Sequence, residues 1–415
     1  MSIAATGPAL RVRTRAAADP ERPIELLPDE DGPLSWVRGA DGLVAWGEVA
    51  RFTGYGAGRF DAADAWWRAF VDQLEITDEV GLPGTGPVAF ASFAFAADPG
   101  ESVLVVPRVV VGCRDGVGWI TEIDTGGGAP TVRPVTPVRP ATGVRYSCGL
   151  LPVERWRQAV AEAVRRMRRG ELYKAVFAHD LMATADETLD PRFLLRELAQ
   201  RYPTCWAFAV DGLVGATPEL LLRRTGTVVG SRVLAGTIWR DELSDDELGP
   251  ALMASAKNRD EHRYAKESMV HRLRPLCVDV HAPAEPSLLR LPNVTHLASD
   301  ITGALDPVDP PSLLRLAGAV HPTAAVGGTP TEPALELIAE LEEMDRGRYA
   351  GPVGWVDGNG DGELGLALRC AQLSGSTARL FAGGGVVADS DPDAEVAEVA
   401  AKMLAVRSAL EGRAS

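Results

Sequence analysis

Apolar residues recur at helical spacing at several places along the chain. Trp156, Val160 and Met167 fall on one face of a helix that begins at Val153, and Gly170 is a suitable stop signal. The same periodicity predicts five more helices: 62–74, 245–273 with Ser244 as its N-cap, 311–319, 333–343, and a last helix opened by Ser390-Asp391-Pro392.

Short apolar runs between turn residues predict strands. Residues 171–181 form one such run, and Asp211-Gly212 is typical of a hairpin turn between two others. Further strands are predicted over residues 42–47, 102–107, 228–238, 351–357, 363–373 and 378–381. Since strands occur in hairpins as well as between helices, we predict an α+β fold with large, mainly antiparallel sheets flanked by helices. Residues 124–145 predict a long loop.

Composition and charge exclude several functional classes. The 415 residues include 57 acidic and 42 basic side chains, for a net charge of −15. Such a surface repels nucleic acid and anionic lipid. The five cysteines include no Cys-x-x-Cys pair, which favours reduced thiols in a cytosol. The sequence contains neither an apolar run long enough to span a membrane nor a glycine-rich nucleotide loop.

Lys174 lies inside a predicted strand with apolar neighbours on both sides. Burial disfavours the charged form of an amine, so a lysine in this setting can act as a general base near neutral pH. The alternative is a lysine on an edge strand, where its charge discourages aggregation. The segment alone leaves both interpretations open.

Glu219 stands immediately before a run of three leucines. An apolar setting raises the pKa of a carboxyl group, which suits a general acid. The alternative is a strand residue in a salt bridge with Arg223 or Arg224.

Two predicted helices present acidic residues on one face. Asn258 and Glu261 share a face of the first, and Glu395, Glu398 and Lys402 share a face of the last. Carboxylates from two helices, together with a substrate carboxylate and water, can complete the oxygen shell of Mg²⁺. The alternative is a pair of solvated, charged helix faces.

Residues 381–387 contain three consecutive glycines after a predicted strand. Without Cβ atoms, Gly383 and Gly385 allow backbone N–H groups to form a nest for an anion. Arg369 lies within the predicted strand 363–373, where a buried guanidinium needs an anion, either a ligand carboxylate or a protein carboxylate.

Together these segments resemble the chorismate-utilising enzyme family and, within it, the isochorismate synthases. The resemblance covers residues 153–410, whereas the first 150 residues match only loosely. The matching segments, in chain order, are Tyr173-Lys-Ala-Val-Phe177, 215–221, Val233-Leu-Ala-Gly-Thr237, 255–262, 293–297, His321-Pro-Thr-Ala-Ala-Val-Gly-Gly328, 348–355, 360–364, 368–371 and 381–402.

The resemblance implies an Mg²⁺-dependent isomerisation of chorismate to isochorismate, in which water adds at C2 and the C4 hydroxyl leaves. It implies that Lys174 is the general base that activates water and that Glu219 is the general acid. It implies Glu261 and Glu398 as metal ligands, with Glu395 nearby through water. The implied substrate-binding positions are Thr237, His321, Tyr349, Arg369, Gly383, Gly385 and Lys402.

The same resemblance sets expectations for organisation and partners. Residues 1–150 are expected to be a β-rich part of the same fold, and residues 151–412 the chorismate-binding core. We expect a cytoplasmic monomer that acts on chorismate, with no glutaminase subunit and no nucleic-acid or membrane partner. The pathway expected is menaquinone biosynthesis, with siderophore biosynthesis as the alternative.

Two other functions compete with this interpretation. A salicylate synthase shares the lysine and goes on to eliminate pyruvate, although the segment Ala325-Val-Gly-Gly328 resembles the isochorismate synthases. A silent chorismate-binding protein is the non-enzymatic alternative, and the retained Lys174 and Glu219 oppose it. Asn258 departs from the acidic residue usual in the family and removes one negative charge near the expected metal.

Overall fold

A computed structural model describes residues 10–18, 22–29, 32–124, 136–239, 245–290 and 294–413. These residues contain 21 strands, eight α-helices and two 3₁₀ turns. The expected N-cap Ser244, Asn293 of one family segment and residues 125–135 of the predicted loop lie outside the described residues. None of the described helices is both long enough and apolar enough to cross a membrane.

The first part of the chain is built mainly from strands, because β-branched residues that suit a pleated surface are frequent there. Its elements are β1 (Arg11–Ala17), β2 (Leu34–Arg38), β3 (Asp41–Gly54), α1 (Arg59–Val71), β4 (Glu75–Asp78), β5 (Val88–Ser92), β6 (Ser102–Arg114), β7 (Val117–Asp124) and β8 (Arg145–Cys148).

The middle of the chain alternates helices with hairpins. Its elements are α2 (Val153–Arg168), β9 (Lys174–Thr184), α3 (Pro191–Arg201), β10 (Trp206–Val210), β11 (Leu213–Thr217), β12 (Leu220–Thr225), β13 (Val228–Trp239), α4 (Asp245–Ala254), α5 (Ala256–Leu273), β14 (Asp279–His281), β15 (Ser287–Arg290) and β16 (Val294–Ala304). The 3₁₀ turns span Pro23–Leu26 and Arg274–Leu276.

The last part returns to the sheet and ends in a long helix. Its elements are α6 (Leu313–Val320), β17 (Gly328–Thr329), α7 (Thr331–Leu341), β18 (Pro352–Asp357), β19 (Gly362–Leu366), β20 (Cys370–Ser374), β21 (Thr377–Val387) and α8 (Pro392–Leu410). The side chain of Asp391 caps α8 by accepting hydrogen bonds from the backbone N–H groups of Asp393 and Ala394.

The strands form one continuous hydrogen-bonded path in which sequence-distant strands are neighbours. The path runs β16–β13–β12–β19–β18–β5–β6–β3–β2–β10–β11–β20–β21–β9. Every one of these pairs is antiparallel, whereas β1 and β4 are parallel. The predicted α+β fold with large, mainly antiparallel sheets flanked by helices is therefore confirmed.

Two hydrophobic cores lie against this sheet. One core joins Trp36 and Trp119 of the N-terminal strands to Trp355 and the residues of α1 and α6. The other joins α2, α3 and α8, for example through Trp156, to residues of β9, β20 and β21 such as Phe177. Because strands from both parts of the chain contribute to the first core, burial as well as strand pairing connects the two parts.

Three predicted elements differ from the observed ones. The helix predicted over 245–273 is two helices, because the chain breaks at Ser255, whose side chain caps α5 by accepting from Asn258 N–H. The strand predicted over 363–373 is β19 and β20, separated around Arg369, which has φ +46°. The strand predicted over 378–381 extends through the three glycines to Val387.

Candidate active site

The predicted site residues converge on one cavity between the sheet and helices α5 and α8. Lys174, Glu219, Thr237, Glu261, Tyr349, Arg369, Gly383, Gly385, Glu398 and Lys402 all line it. These ten residues come from eight separate strands, connections and helices, so their proximity is a product of tertiary structure. His321 and Glu395 are the two predicted residues that do not line the cavity.

Lys174 opens β9, which has neighbours on both sides. It pairs with Val387 of β21 and with Thr329 of β17, and only 1% of the residue is exposed. Its Nζ lies 3.2 Å from Glu261 Oε1. The alternative of an exposed lysine on an edge strand is therefore wrong, and the amine faces the cavity.

Glu219 lies in the two-residue connection between β11 and β12, where its N–H donates to Thr217 Oγ1. Arg223 and Arg224 form their ion pairs with Glu363 and Asp361 instead, so the salt-bridge alternative is wrong. Burial raises the pKa of Glu219 to about 8, although the charge of Lys174 acts in the opposite direction. At neutral pH this carboxyl group is mostly protonated and can donate a proton.

The acidic residues on α5 and α8 face the protein rather than solvent. Glu261 pairs with Lys174, and Glu398 Oε1 lies 2.7 Å from Lys402 Nζ. Glu395 is 3% exposed, and its Oε1 accepts a hydrogen bond from Ser390 while its Oε2 has no partner. The alternative of two solvated helix faces is wrong for these residues.

This donor set is compatible with Mg²⁺. No group of three His, Cys, Asp or Glu side chains is close enough to hold a metal in the described part of the chain. Mg²⁺ nevertheless needs only one or two protein carboxylates when a substrate anion and water fill the remaining positions. Glu261 and Glu398 line one cavity and supply two carboxylates. Outside the cavity lining, Glu395, whose charge interacts with that of Glu398, has a buried Oε2 without a hydrogen-bond partner.

The glycine run forms part of strand β21, and the binding of an anion by its N–H groups stays a prediction. Gly383 pairs with Ala178, and Gly385 pairs with Val176, so this backbone belongs to the β21–β9 ladder. The missing side chains of these glycines leave room for neighbouring groups of the cavity wall. A Cβ on Gly385 would lie 2.6 Å from Glu261 Oε1, and one on Gly383 would lie 3.0 Å from the Tyr349 hydroxyl.

Arg369 reaches the cavity from the irregular connection between β19 and β20. Its Nη2 lies 3.2 Å from His296 Nε2, and its guanidinium stacks over Tyr202 at 5.6 Å. Arg369 forms no ion pair with a carboxylate of the described residues, so the protein-carboxylate alternative receives no support there. Its charge is available for an anionic ligand.

His296 is a site residue that the sequence interpretation missed. Its Nδ1 lies 3.0 Å from Thr237 Oγ1, and its Nε2 accepts from Arg369 because a guanidinium can only donate. Burial, and then the charges of Arg369 and Lys402, lower the pKa of His296 well below its ordinary value. A neutral His296 therefore holds Thr237 and Arg369 in one hydrogen-bonded chain.

His321, the histidine chosen from the sequence, lies elsewhere. Its Nε2 lies 3.0 Å from Phe95 O, and it lines a different cavity together with Phe60 and Phe95. The signal that could have identified His296 is its place in the family segment 293–297, one strand away from Thr237 in the β13–β16 pair.

Tyr349 and Lys402 complete the wall of the cavity. The ring of Tyr349 stacks on Phe381 with centroids 5.0 Å apart, and burial raises the pKa of its hydroxyl above the ordinary range. Lys402 Nζ donates to Gly383 O at 2.9 Å as well as pairing with Glu398. The cavity is therefore lined by two lysines, two arginines and three glutamates, a pattern suited to a small dianion and a cation. One of the arginines, Arg346, is already paired with Glu342.

Comparison with known proteins gives consistent relatives. Residues 138–411 match the family described as "Chorismate binding enzyme". The protein named MenF of Mycobacterium tuberculosis (strain H37Rv) is 40% identical over 344 residues, covering 79% of this chain and 87% of that protein. Isochorismate synthase DhbC of Bacillus subtilis is 40% identical over 263 residues, covering 60% of this chain and 66% of that protein.

Solved structures agree with this. DhbC of Bacillus anthracis has a TM-score of 0.77 at 30% identity and covers 93% of this chain and 98% of its own. MenF, the menaquinone-specific isochorismate synthase of Escherichia coli, has a TM-score of 0.79 at 24% identity and covers 97% and 95%, which supports the fold. The match over residues 138–411, with a relative 40% identical over most of its length, means that this chain belongs to the chorismate binding enzyme family.

Proposed function

We propose that this protein is an isochorismate synthase, which converts chorismate to isochorismate by adding water at C2 and releasing the C4 hydroxyl. The observation that most directly supports this is that a buried amine, Lys174, and a carboxyl group with a raised pKa, Glu219, line one cavity. The reaction needs one group that accepts a proton and one that donates it. Relatives named isochorismate synthase support the same reaction.

In this proposal Lys174 Nζ accepts a proton from water as the water oxygen bonds to C2. Both ring double bonds shift, the C4–O bond breaks, and Glu219 donates its proton to the departing hydroxyl. The atoms of water gained and lost balance, so the reaction is an isomerisation. In the reverse direction the two residues exchange roles, and each positioned proton-transfer group typically contributes about 10²–10⁴-fold in rate.

We further infer that the substrate carboxylates are divided between the two ends of the cavity. Glu261 and Glu398 would hold Mg²⁺, which when bound neutralises and orients the ring carboxylate. Arg369, with Tyr349 and Thr237 beside it, would bind the enolpyruvyl carboxylate, because Arg369 lacks a carboxylate partner among the described residues. Gly383 and Gly385 would contribute the space that side chains would otherwise fill.

We infer that the enzyme works without a glutaminase subunit, since a lysine base activates water rather than admitting ammonia. We also propose that it is a cytoplasmic monomer. Menaquinone biosynthesis is the pathway we propose, because the match to MenF of Mycobacterium tuberculosis covers 79% of the chain, whereas the match to DhbC covers 60%.

Product analysis tests the reaction. Purified protein is incubated with chorismate, with Mg²⁺ or with excess chelator, and the products are separated by chromatography. We expect a Mg²⁺-dependent approach to a fixed chorismate–isochorismate ratio without pyruvate. Lys174→Ala should lower the rate by about 10²–10⁴-fold. Lys266→Ala is the matched control, since Lys266 Nζ donates only to backbone carbonyls of Pro283 and Ala284.

The other outcomes contradict the proposal in distinguishable ways. Salicylate together with pyruvate would make the protein a salicylate synthase. A Lys174→Ala protein as active as the Lys266→Ala control would exclude Lys174 as the base. Absence of any product with bound chorismate would leave a chorismate-binding protein without this catalysis.

A further inference from the structure

Strand β9, which carries Lys174, lacks a strand neighbour along the middle of one edge. On one side β9 pairs with β21 over its whole length, from Lys174 to Thr184. On the other side β17 pairs only with Lys174 and Ala175, and β8 pairs only with residues 181–184. Within the described chain, no strand covers residues 176–180 on that side. Backbone groups at such a gap need other partners, because a buried N–H or C=O group left unpaired is destabilising.

Two charged side chains fill part of this gap. The carboxylate of Glu342 accepts a hydrogen bond from the N–H group of Ala178 at 2.9 Å. Arg346 Nη2 donates to the carbonyl oxygen of Val176 at 2.6 Å. The two side chains thus bind the same edge of β9 at positions two residues apart, as the backbone of a neighbouring strand would.

Glu342 and Arg346 form a buried ion pair with two parallel hydrogen bonds. Arg346 Nε and Nη2 each donate to an oxygen of Glu342 at 2.6 Å, and the arginine and glutamate side chains are 3% and 2% exposed, respectively. A planar guanidinium can bind a carboxylate in this way and still direct other N–H groups elsewhere. Because each charge is matched by its partner, the pair is suited to holding backbone groups rather than an anionic substrate.

Arg346 also connects β9 to a second segment of the cavity wall. Its Nη1 donates to the carbonyl oxygen of Val326 at 2.9 Å, in the connection between α6 and β17. Val326 lines the catalytic cavity, as do Lys174, Val176 and Ala178 of β9. The ion pair therefore joins two segments of one wall beside the residue that carries the amine.

We propose that Glu342 and Arg346 are positioning residues of the active site, which hold β9 so that Lys174 keeps its place in the cavity. This inference rests on the proposed function, in which Lys174 is the base. Displacement of a reacting group by about 1 Å can cost roughly 10²-fold in rate. The contacts with Val176 and Ala178 oppose such a displacement, because they fix the strand on the side where no other strand does so.

Kinetics of Arg346→Lys test the proposal. Lysine keeps a positive charge beside Glu342, but its single nitrogen cannot span the carbonyl oxygens of both Val176 and Val326. We expect kcat for chorismate to fall at least about tenfold and KM to change less than about twofold, since the contact acts on the base and not on the substrate.

Arg192→Lys is the matched control. Arg192 is equally buried, pairs with Asp190 at 2.7 Å and also donates to a backbone carbonyl group, but it does not line the catalytic cavity. Both variants should lose thermal stability, whereas only Arg346→Lys should lose kcat at temperatures below unfolding. Equal values of kcat in the two variants, or a change in Arg346→Lys that is confined to KM, would overturn the proposal.

Hydrogen exchange at single amides gives a readout that does not depend on activity. The double variant Glu342→Leu/Arg346→Met removes both charges together, so that no unpaired buried charge threatens folding. It should speed exchange of the Ala178 amide at least about tenfold, with the amides of α3 as the internal reference. Unchanged exchange at Ala178 would overturn the proposal. A wild-type protein that forms no isochorismate would instead overturn the proposed function, and the exchange measurement would still show whether the pair holds β9.

Discussion

At the scale of single residues, the function depends on groups whose properties are set by burial. Glu219 belongs to a connection of only two residues, yet its side chain is 6% exposed and its pKa is raised to about 8. Lys174 is equally buried but is held by Glu261. Neither environment can be deduced from the neighbouring sequence alone, since both depend on residues more than forty positions away.

Activity should follow the protonation of Glu219. Because a general acid must be protonated, kcat/KM should fall as the pH rises through about 8, the raised pKa of Glu219. Glu219→Gln should lower kcat/KM by about 10²–10⁴-fold. Steady-state rates from pH 6 to pH 9.5 measure both effects. A pH profile of the wild type that is flat across pH 8 would exclude this residue as the acid.

The raised pKa of Glu219 also predicts how its contribution to the stability of the protein changes with pH. Its pKa is higher in the folded than in the unfolded protein, so its contribution is most favourable below its unfolded pKa and is lost as the pH rises through about 8. Glu219→Gln should therefore raise Tm relative to wild type at pH 9 more than at pH 5. Calorimetry at the two pH values measures this, and an equal change at both would contradict the shift.

At the scale of elements, β21 illustrates how a strand can be adapted to a site. Three successive glycines weaken a strand because they contribute no packing. Here they lie in a fully paired antiparallel ladder opposite β9, and their missing side chains leave space for the carboxylate of Glu261 and the hydroxyl of Tyr349. The cost in local stability is offset by the pairing of all three glycines with β9.

Gly385→Ala should disturb function more than stability. Its Cβ would lie 2.6 Å from Glu261 Oε1, the mobile end of a side chain, so the carboxylate can move away while the backbone stays in place. Displacement of a reacting or ligand-holding group by about 1 Å can cost roughly 10²-fold in rate. Steady-state kinetics over a range of Mg²⁺ concentrations, with thermal unfolding in parallel, measure the two effects.

Gly230→Ala in β13 is the matched control for this prediction. It is also a strand glycine, but the nearest atom to its added Cβ would be Ile301 O at 3.9 Å. An equal loss of activity in both variants, or a loss of folding in Gly385→Ala alone, would contradict the assignment of Gly385 to the site.

At the scale of the whole molecule, strand pairing joins the two parts of the chain. β2 pairs with β10 and β5 pairs with β18, and Trp36 of the first part donates to Glu363 of the second. We propose on these grounds that residues 1–150 are integral to the fold of residues 151–412. A first part separated from the second would leave these strands with unpaired edges.

Unfolding should therefore be cooperative across the chain. Urea transitions followed by tryptophan fluorescence and by far-UV circular dichroism should coincide. Trp36→Phe removes one donor from the buried Glu363 carboxylate and should lower stability by about 1–3 kcal/mol in both transitions together. Two separate transitions, of which only one responds to Trp36→Phe, would indicate independent domains.

The sequence by itself determined the identity of the chemistry and most of the elements. Local periodicity predicted α2, α8 and the β10–β11 hairpin, because the spacing of apolar residues and the capping or turn residues act over a few positions. Family segments in a consistent order identified Lys174, Glu219, Glu261 and Arg369 as candidates. These signals are local, or they are matches of residue type, and neither requires knowledge of which strands are neighbours.

Only the tertiary structure decided which candidates meet. His296, not His321, lies beside Thr237 and Arg369, because β16 pairs with β13 whereas His321 follows α6 into another cavity. The glycines became a strand because β9 is available as a partner. Burial and pairing depend on contacts between distant segments, so proximity and charge environment follow from the folded chain and not from any one stretch of sequence.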